Sequence, residues 1–187
     1  MATTTSFPTA ATINGANFNK TFADDGVFTT HPSGGWGSEG DIELYSFSNL
    51  SIPSGATIDG IEIYAEANSN TGPNEPDMFV YNGSSWSSAL SNNSTWGKST
   101  TTIDPAWGSN SNLWGLSWTS STAEGIKIKM DSSSITSGRR IFFDWIRVRV
   151  TYTEAGYGHE VNNVAAASIA KVKGVATASI AKVNGVD

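Results

Sequence analysis

Carboxylates are the groups in this 187-residue chain that are numerous enough to support acid–base chemistry, with 17 Asp and Glu in total. Four in or beside predicted strands are candidates for the acid and base of a glycosidase: Asp59, Glu62, Glu66 and Asp144. Glu62 and Glu66 share a strand face but lie about 13 Å apart along it. That separation exceeds both the retaining and the inverting geometry. The carboxylates therefore do not predict a catalytic pair.

Histidine and cysteine, which supply many metal sites and nucleophilic triads, are scarce. The chain has two His, His31 and His159, both in Gly-containing loops, and no Cys. This argues against a His-based zinc site or triad and excludes disulfides, thiolate ligands and Cys nucleophiles. The G-x-S-x-G, P-loop and H-E-x-x-H motifs are also absent from the sequence. We expect a protein that is not an enzyme and uses no cofactor.

Asp144 is expected to be structural rather than catalytic. It has the same strand parity as Ile146 and Val148, which places its carboxylate on a part-buried face. A buried carboxylate requires hydrogen-bond or ionic partners. Arg139, Arg140 or backbone amides can supply them. We favour a structural ion pair at this position over a catalytic acid.

The segment Asp24-Asp25-Gly26 has two interpretations. Asp-Asp-Gly is a turn signal, because Asp bonds nearby backbone and Gly accepts a positive φ. Asp side chains and turn carbonyls are also suitable calcium ligands. We favour the plain turn and retain Asp24 and Asp25 as weak metal-ligand candidates. No other metal site is predicted.

Tryptophan is frequent, with seven residues in the chain. Exposed indole rings can form a platform for sugar rings, which predicts a carbohydrate-binding surface in the Trp-rich loops. In the alternative, these loops fold back over the body and the indoles fill small cores beneath them. The candidates for ligand binding are Trp36, Trp96, Trp107, Trp114 and Trp118, and Trp86 belongs to the same set.

The clearest structural signal lies at residues 140–152. From Ile146 onward the faces alternate, with Ile146, Val148, Val150 and Tyr152 on one side and Arg147, Arg149 and Thr151 on the other. Period-two alternation of β-branched and aromatic residues predicts a β-strand. Its length and aromatic content indicate a central position in a sheet. We expect the arginine face to be solvated or to meet an acidic neighbour.

Further segments complete a predicted all-β body. They are strands at residues 41–50, 57–68 and 125–130 and a hairpin at residues 78–86 that turns at Asn82-Gly83. Ile58 has the wrong parity for the apolar face of its strand, and a bulge at Gly60 would restore it. These elements predict an antiparallel, two-sheet, jelly-roll-like β-sandwich over residues 1–153. An up-and-down barrel is the alternative.

The composition changes after residue 153. Residues 154–160 are predicted to be a linker, and residues 161–187 repeat with a period of eleven, as in V-N-N-V-A-A-A-S-I-A-K and V-K-G-V-A-T-A-S-I-A-K. Short apolar arms between turns cannot bury a core alone. We therefore expect this tail to be ordered only against another protein or copies of itself. Its predicted interface residues are Val161, Val164, Ile169, Val172, Val175, Ile180, Val183 and Val186.

Charge and hydropathy argue against two classes of partner. The net charge is −6, which disfavours binding of nucleic-acid phosphates by the body. No run approaches the roughly 18 apolar residues of a membrane span. The first residues lack the charged and apolar regions of a signal peptide. We expect no nucleic-acid partner, no membrane partner and no secretory leader.

Segments of both the body and the tail resemble bacteriophage proteins. G-A-T-I-D-G-I-E-I-Y-A-E-A, N-L-W-G-L-S-W and F-F-D-W-I-R-V-R-V-T-Y-T resemble small jelly-roll domains in structural proteins of tailed phages. S-I-A-K-V-K-G-V and S-I-A-K-V-N-G-V are similar to short repeats appended to phage virion proteins. The resemblance implies a virion protein, made in the host cytoplasm and assembled on the particle as a capsid decoration, head fibre or tail-associated subunit. Its implied partners are other virion proteins, copies of itself and, since some such domains bind glycans, host glycans.

Overall fold

The computed structural model describes residues 1–12, 22–29, 42–47, 50–69, 76–91, 99–131, 141–155, 171–172 and 175–176. The strands of the body, in chain order, are β1 (Ala2–Ser6), β2 (Ala10–Thr12), β3 (Ile42–Tyr45), β4 (Thr57–Ser69), β5 (Asp77–Tyr81), β6 (Thr101–Ser109), β7 (Lys127–Asp131) and β8 (Ile141–Thr153). They form two antiparallel four-stranded sheets. Across the described ranges, no helix has the length and apolar character to cross a membrane.

Sheet 1, with the strand order β1-β8-β4-β6, is organised by the strand that alternation predicted most clearly. β8 pairs with β1 on one side and with almost the whole of β4 on the other. Both long strands have apolar residues at every second position over much of their length, so one face of each can be buried. The predicted central position of β8 is confirmed.

Sheet 2 has the strand order β2-β3-β7-β5. From β3 to β8, successive strands alternate between the two sheets, which is the connectivity of a jelly-roll-like sandwich. After β5 the chain turns back and pairs with it at two isolated bridges, Tyr81 with Trp86 and Met78 with Leu90. The predicted hairpin is therefore present, with a second arm that forms bridges rather than a regular strand. The sandwich is confirmed and the barrel is not.

The core lies between the two sheets, where their inward-facing side chains meet. A single buried cluster joins Ile61, Ile63, Ala65, Ile146, Val148 and Val150 of sheet 1 to Leu44, Met78, Val80, Ile128 and Met130 of sheet 2. These are the residues that period-two alternation assigns to the inner faces. Burial of this apolar surface is the main force that holds the sheets together.

Strand β4 contains the bulge predicted from parity. Its register against β8 shifts between Ile58 and Gly60, so that Asp59 is the extra residue. The inserted residue reverses the facing of everything after it. As a result Ile58 and Ile61 are both buried, although they are three positions apart and would face opposite sides of a regular strand.

Strand β3 is shorter than the predicted strand at residues 41–50. It ends at Tyr45, because the next residue, Ser46, has a φ of 59°, outside the extended region. Phe47 and Leu50 are nevertheless buried in the core. The apolar pattern beyond Tyr45 therefore marks core residues in a loop, and the prediction of a strand there was wrong.

A short helix that the sequence did not predict, α1 (Ser120–Glu124), precedes β7. The side chain of Thr119 accepts a hydrogen bond from the Thr122 amide, and the Thr122 hydroxyl accepts one from the Thr119 amide, which is a capping box. The Glu124 carboxylate accepts a hydrogen bond from the Ile52 amide at 2.9 Å. This contact ties the helix to the segment before β4.

The described part of the predicted tail consists of β9 (Lys171–Val172) and β10 (Val175–Ala176). These strands pair antiparallel with each other, with Val172 opposite Val175, and belong to neither sandwich sheet. In the sequence, the Lys-Gly position of the eleven-residue repeat lies between these two strands, outside the described residues. The other predicted interface residues lie outside the described residues: Val161, Val164, Ile169, Ile180, Val183 and Val186.

Candidate functional site

The outer face of sheet 1 carries polar and aromatic side chains that are almost completely buried. Glu62, Tyr64 and Trp145 point away from the core, yet only 3%, 1% and 4% of their surfaces are exposed. Arg149 donates from Nε and Nη2 to the two carboxylate oxygens of Glu62, at 2.7 and 2.9 Å. Glu62, which belongs to the same sheet, is therefore an acidic neighbour of the kind predicted for the arginine face.

The guanidinium groups on this face lie against aromatic rings. That of Arg147 lies 4.7 Å from the Trp145 ring centroid and 5.0 Å from that of Tyr64, and Arg149 lies 4.7 Å from Tyr64 on the same face. A cation is attracted to the face of an aromatic ring when it lies at such a distance. Arg147 Nε and Trp145 Nε1 are buried and have no hydrogen-bond partner among the described residues. The stack fills the face, leaving these atoms inaccessible to a ligand.

The outer face of sheet 2 is different, because its aromatic side chains are half-buried rather than covered. We call it the aromatic–lysine face, and it comprises Tyr45, Phe79, Tyr81, Trp86, Lys127 and Lys129. Outward positions of β3, β5 and β7 supply five of these residues, and the returning arm after β5 supplies Trp86. Their inward neighbours Leu44, Val80 and Ile128 lie in the core.

Two lysines of β7 interleave with the aromatic rings. The Lys127 ammonium lies 5.7 Å from the ring centroids of both Tyr45 and Tyr81. The Lys129 ammonium lies 4.5 Å from that of Phe79 and 5.3 Å from that of Trp86. Each ammonium is thus held between two rings by cation–π attraction. This holds the charges in place on the sheet.

The hairpin after β5 positions Trp86 against its neighbours. Asn82 Oδ1 accepts hydrogen bonds from the amides of Ser84 and Ser85, at 3.0 and 2.9 Å, and Gly83 takes a φ of 93°. This turn brings the Trp86 ring to 5.1 Å from the Tyr81 ring. A turn signal in the sequence therefore becomes a means of placing an indole on the face.

Acidic residues lie at one end of the aromatic–lysine face and Lys127 lies at the other. Glu43 is paired with Lys129 across the sheet, and Asp77 is paired with Asp131 one step further along. Lys127 lies at the other end and makes no ion pair in the part of the chain that the structure describes. The arrangement can present an ammonium, phenol hydroxyls and an indole to a ligand that lies flat on the sheet.

The predicted tryptophan platform requires correction. Trp107 is 0% exposed and donates its indole N–H to the Pro76 carbonyl at 2.9 Å, and Trp114 is 6% exposed and donates to the Ile61 carbonyl at 2.9 Å. Neither can present a ring face to a sugar. Both belong to the main core cluster, and Trp107 lies in strand β6 rather than in a loop, so the alternative of small cores beneath loops does not describe it either. Trp118 is half-buried and donates to the Leu113 carbonyl at 3.0 Å. Trp36 and Trp96 lie outside the described residues.

The candidate glycosidase carboxylates in β4 are engaged in structural contacts. Besides the pairing of Glu62 with Arg149, Glu66 accepts a hydrogen bond from the Thr102 hydroxyl at 2.6 Å, and Asp59 accepts one from the Thr153 hydroxyl at 2.7 Å. Each contact joins β4 to a neighbouring strand. The geometry gives these carboxylates roles in sheet packing.

Asp144 is the extra residue of a second bulge, where β8 passes Glu66 and Ala67 of β4. Its side chain is buried, and Oδ2 accepts a hydrogen bond from the Gly26 amide at 3.2 Å, while Oδ1 has no hydrogen-bond partner within the described ranges. Burial raises the pKa of this carboxyl above its ordinary value of 3.8, against the opposing effect of the Gly26 and Asp25 amides. Of the predicted partners, the backbone amides are the ones observed; Arg139 and Arg140 lie outside the described residues.

The turn at residues 24–26 is held by these contacts. Asp25 Oδ1 accepts a hydrogen bond from the Val27 amide at 3.0 Å, a local turn contact. Asp24 and Asp25 are exposed, and within the described ranges no group of three or more His, Cys, Asp or Glu has a metal-binding arrangement. The contact of Asp25 is the one that the turn interpretation predicts.

Titration of Asp144 is expected to couple folding stability to pH. Because its folded pKa is raised, the folded chain holds this proton to higher pH than the unfolded chain. The contribution of Asp144 to the free energy of unfolding therefore decreases as the pH rises from 3.8 through the raised pKa. Below pH 3.8 this contribution is constant. Denaturant unfolding at several pH values should show the wild type gaining stability relative to Asp144→Asn as the pH falls from neutrality. A constant difference between the two proteins would contradict this.

The aromatic–lysine face was assembled by the fold from residues that sequence reasoning assigned elsewhere or passed over. Lys127 and Lys129 lie in the predicted strand at residues 125–130, and Trp86 was placed in the tryptophan set. Tyr45, Phe79 and Tyr81 were not singled out. A signal was present, since Phe79 and Tyr81 are aromatic at outward positions of an alternating strand, where polar residues are usual.

Comparison with known proteins adds a single likeness. No protein-family model matches this sequence, and no curated protein matches it. Among solved structures, the chain is similar to the Podospora anserina GH26-CBM35 β-(1,4)-mannanase, with a TM-score of 0.42 and 14% sequence identity. The similarity covers 86% of this chain and 30% of the mannanase chain. A likeness at this level carries no argument about ligand or activity.

Proposed function

We propose that this chain is a non-enzymatic structural protein of a phage virion, attached to the particle or to sister subunits through its C-terminal repeats. The observation that carries the proposal is the eleven-residue repeat of residues 161–187, whose described hairpin β9–β10 forms a sheet separate from the sandwich. The sandwich has its own core, whereas the hairpin consists of two strands of two residues each. An element of that size is not stable in water by itself.

The charge of the tail suits attachment to an acidic surface. After residue 160 the tail carries Lys171, Lys173 and Lys182 against a single acidic side chain, Asp187, while the whole chain has a net charge of −6. An acidic acceptor surface on the particle or on a sister subunit would attract the tail. The apolar valines and isoleucines of the repeat would then supply the buried contact area.

Deleting residues 161–187 is expected to abolish incorporation into particles and to leave the sandwich folded. No described residue of the tail belongs to the buried core cluster, and we expect thermal unfolding of the body to shift by no more than about 2 °C. The measurement is the amount of protein that sediments with purified particles, beside a thermal melt of the soluble chain.

A matched variant tests whether incorporation requires specific contacts of the tail or only a tail of this length. Val172→Asp with Val175→Asp keeps every residue of the tail but places like charges directly opposite each other in the β9–β10 hairpin. We expect it to lose incorporation as the deletion does. Normal loading of either variant onto particles would overturn the attachment proposal.

A second candidate function, glycan binding on the virion surface, is favoured by the aromatic–lysine face. Half-buried rings on an open sheet, with hydroxyl and ammonium groups among them, suit a ligand that has both apolar ring faces and polar substituents. Sugars have that character. In this proposal the sandwich provides the binding surface and the tail provides the attachment, so the two functions are compatible.

A further inference from the structure

We propose that the aromatic–lysine face binds an acidic polysaccharide, with a carboxylate group of the polymer held at Lys127 and sugar rings lying across Tyr45, Tyr81 and Trp86. This inference rests on the proposed glycan-binding role and names the class of glycan. It depends on three features of the face. These are its flat extent, the position of its lysines, and its acidic end, which restricts the ligand to one of low charge density.

The first feature is shape. Tyr45, Lys127, Tyr81 and Trp86 belong to β3, β7, β5 and the returning arm, which lie side by side in that order. Neighbouring strands are about 4.8 Å apart, so the row extends about 14 Å across the sheet. The outer face of sheet 1 offers no comparable row among the described residues, because Tyr64 and Trp145 there are buried by their neighbours. A row of this length suits an extended chain of several sugar units.

The second feature is the cation at the centre of that row. Lys127 has two tyrosine rings beside it and makes no ion pair in the described part of the chain. Residues 1–153 contain four lysines, of which two lie on this face: Lys20, Lys98, Lys127 and Lys129. Lys127 lies at the end of this face that is away from its acidic residues. An anionic group can gain a charge-assisted contact at Lys127 without displacing a partner.

The third feature distinguishes a polysaccharide with widely spaced carboxylates from a nucleic acid. Aromatic rings and lysines also occur together on surfaces that bind single-stranded nucleic acid. Here the far end of the face carries Glu43, Asp77 and Asp131. Phosphates at every nucleotide would be repelled by this end, whereas a polysaccharide in which only some sugars are acidic can place a carboxylate at Lys127 and neutral hydroxyls near the acidic residues. The charge pattern therefore favours the polysaccharide.

The test is affinity electrophoresis of the full chain through gels that contain hyaluronan, in which every second sugar carries a carboxylate, or dextran, a neutral glucan. We expect retardation in hyaluronan and none in dextran, with weaker retardation as salt rises to about 0.5 M. Lys127→Gln should weaken hyaluronan binding about fivefold to tenfold, as should Tyr81→Ala. Lys171→Gln, which removes the same charge from the tail, should weaken binding less than Lys127→Gln does.

Each other outcome overturns the inference in a recognisable way. Retardation in dextran equal to that in hyaluronan would support a glycan-binding face without the acidic specificity. Equal or tighter binding of a thymidine oligonucleotide would indicate a nucleic-acid surface, and a Lys127-dependent dimer in sedimentation would indicate an interface between copies of this chain. Absence of any binding would remove the glycan role and leave the attachment proposal to its own test by tail deletion. Thermal melts of the variants distinguish loss of binding from loss of folding.

Discussion

Replacing Trp107 by Ala is expected to lower the free energy of unfolding by about 3–5 kcal/mol. Trp107 is the largest fully buried side chain described in the fold, and its indole N–H donates to the Pro76 carbonyl. Truncation would leave a cavity in the core and remove the hydrogen-bond donor from a buried carbonyl. Because a domain of this size is stable by about 5–15 kcal/mol, the variant should lose a large fraction of its stability. Urea unfolding followed by tryptophan fluorescence and circular dichroism would measure it.

Two further variants make the prediction specific. Trp107→Phe retains most of the ring volume but lacks the indole N–H, so it should cost less than the alanine variant. Trp118→Ala removes an indole of the same size from a half-buried position, and we expect a loss of about 1–2 kcal/mol. Equal losses for Trp107→Ala and Trp118→Ala would mean that burial does not distinguish these two positions.

Replacing Gly108 by Ala is expected to lower the free energy of unfolding by about 2–4 kcal/mol. Gly108 has a φ of +78°, and a Cβ there would lie 2.4 Å from the Ile61 carbonyl oxygen. That oxygen also accepts the hydrogen bond of the Trp114 indole, whose Nε1 would lie 3.2 Å from the new carbon. Relief of the clash must therefore move β6 away from β4 or displace Trp114. Chemical denaturation of the variant gives the measurement.

Two other glycines separate the causes of this loss. Gly83 has a φ of +93°, and a Cβ added there would have nothing within 4 Å, so Gly83→Ala should cost about 1–2 kcal/mol for conformation without a clash. At Gly60, where φ is not positive, a Cβ would lie 2.2 Å from the Asn110 backbone carbon, so Gly60→Ala tests the clash. The loss in the free energy of unfolding should be larger for Gly108→Ala than for Gly83→Ala. The reverse order would show that the contact with Ile61 is relieved at little cost.

Much of the sheet framework could be predicted from local pattern. The alternation in β4, β7 and β8 identified which residues face the core, because side chains on a strand alternate regardless of which strand pairs with it. The same rule led from the parity of Ile58 to the bulge beside Gly60. The prediction failed where backbone conformation departs from the extended region, as at Ser46, and missed the bulge at Asp144, where apolar residues occupy both faces.

The candidate site was far less accessible to sequence reasoning. Trp107, Trp114 and Trp86 look alike as residues in Gly- and Ser-rich segments, yet the first two lie in the core and the third lies on an outer face. Whether such an aromatic side chain is buried depends on where its segment of the chain lies in the sandwich. That position is set by contacts between residues far apart in the chain, such as the hydrogen bond from Trp114 to Ile61.

The amino-acid sequence by itself determined the all-β class, the facing of residues along each long strand and the separate repeat at the end of the chain, because each depends on local period and composition. The tertiary structure decided which strands are neighbours. Tyr45, Tyr81 and Lys127 belong to three different strands, and the pairing of β3 and β5 with β7 brings them together around one ammonium. Strand pairing depends on the packing of the whole core, which no local pattern specifies.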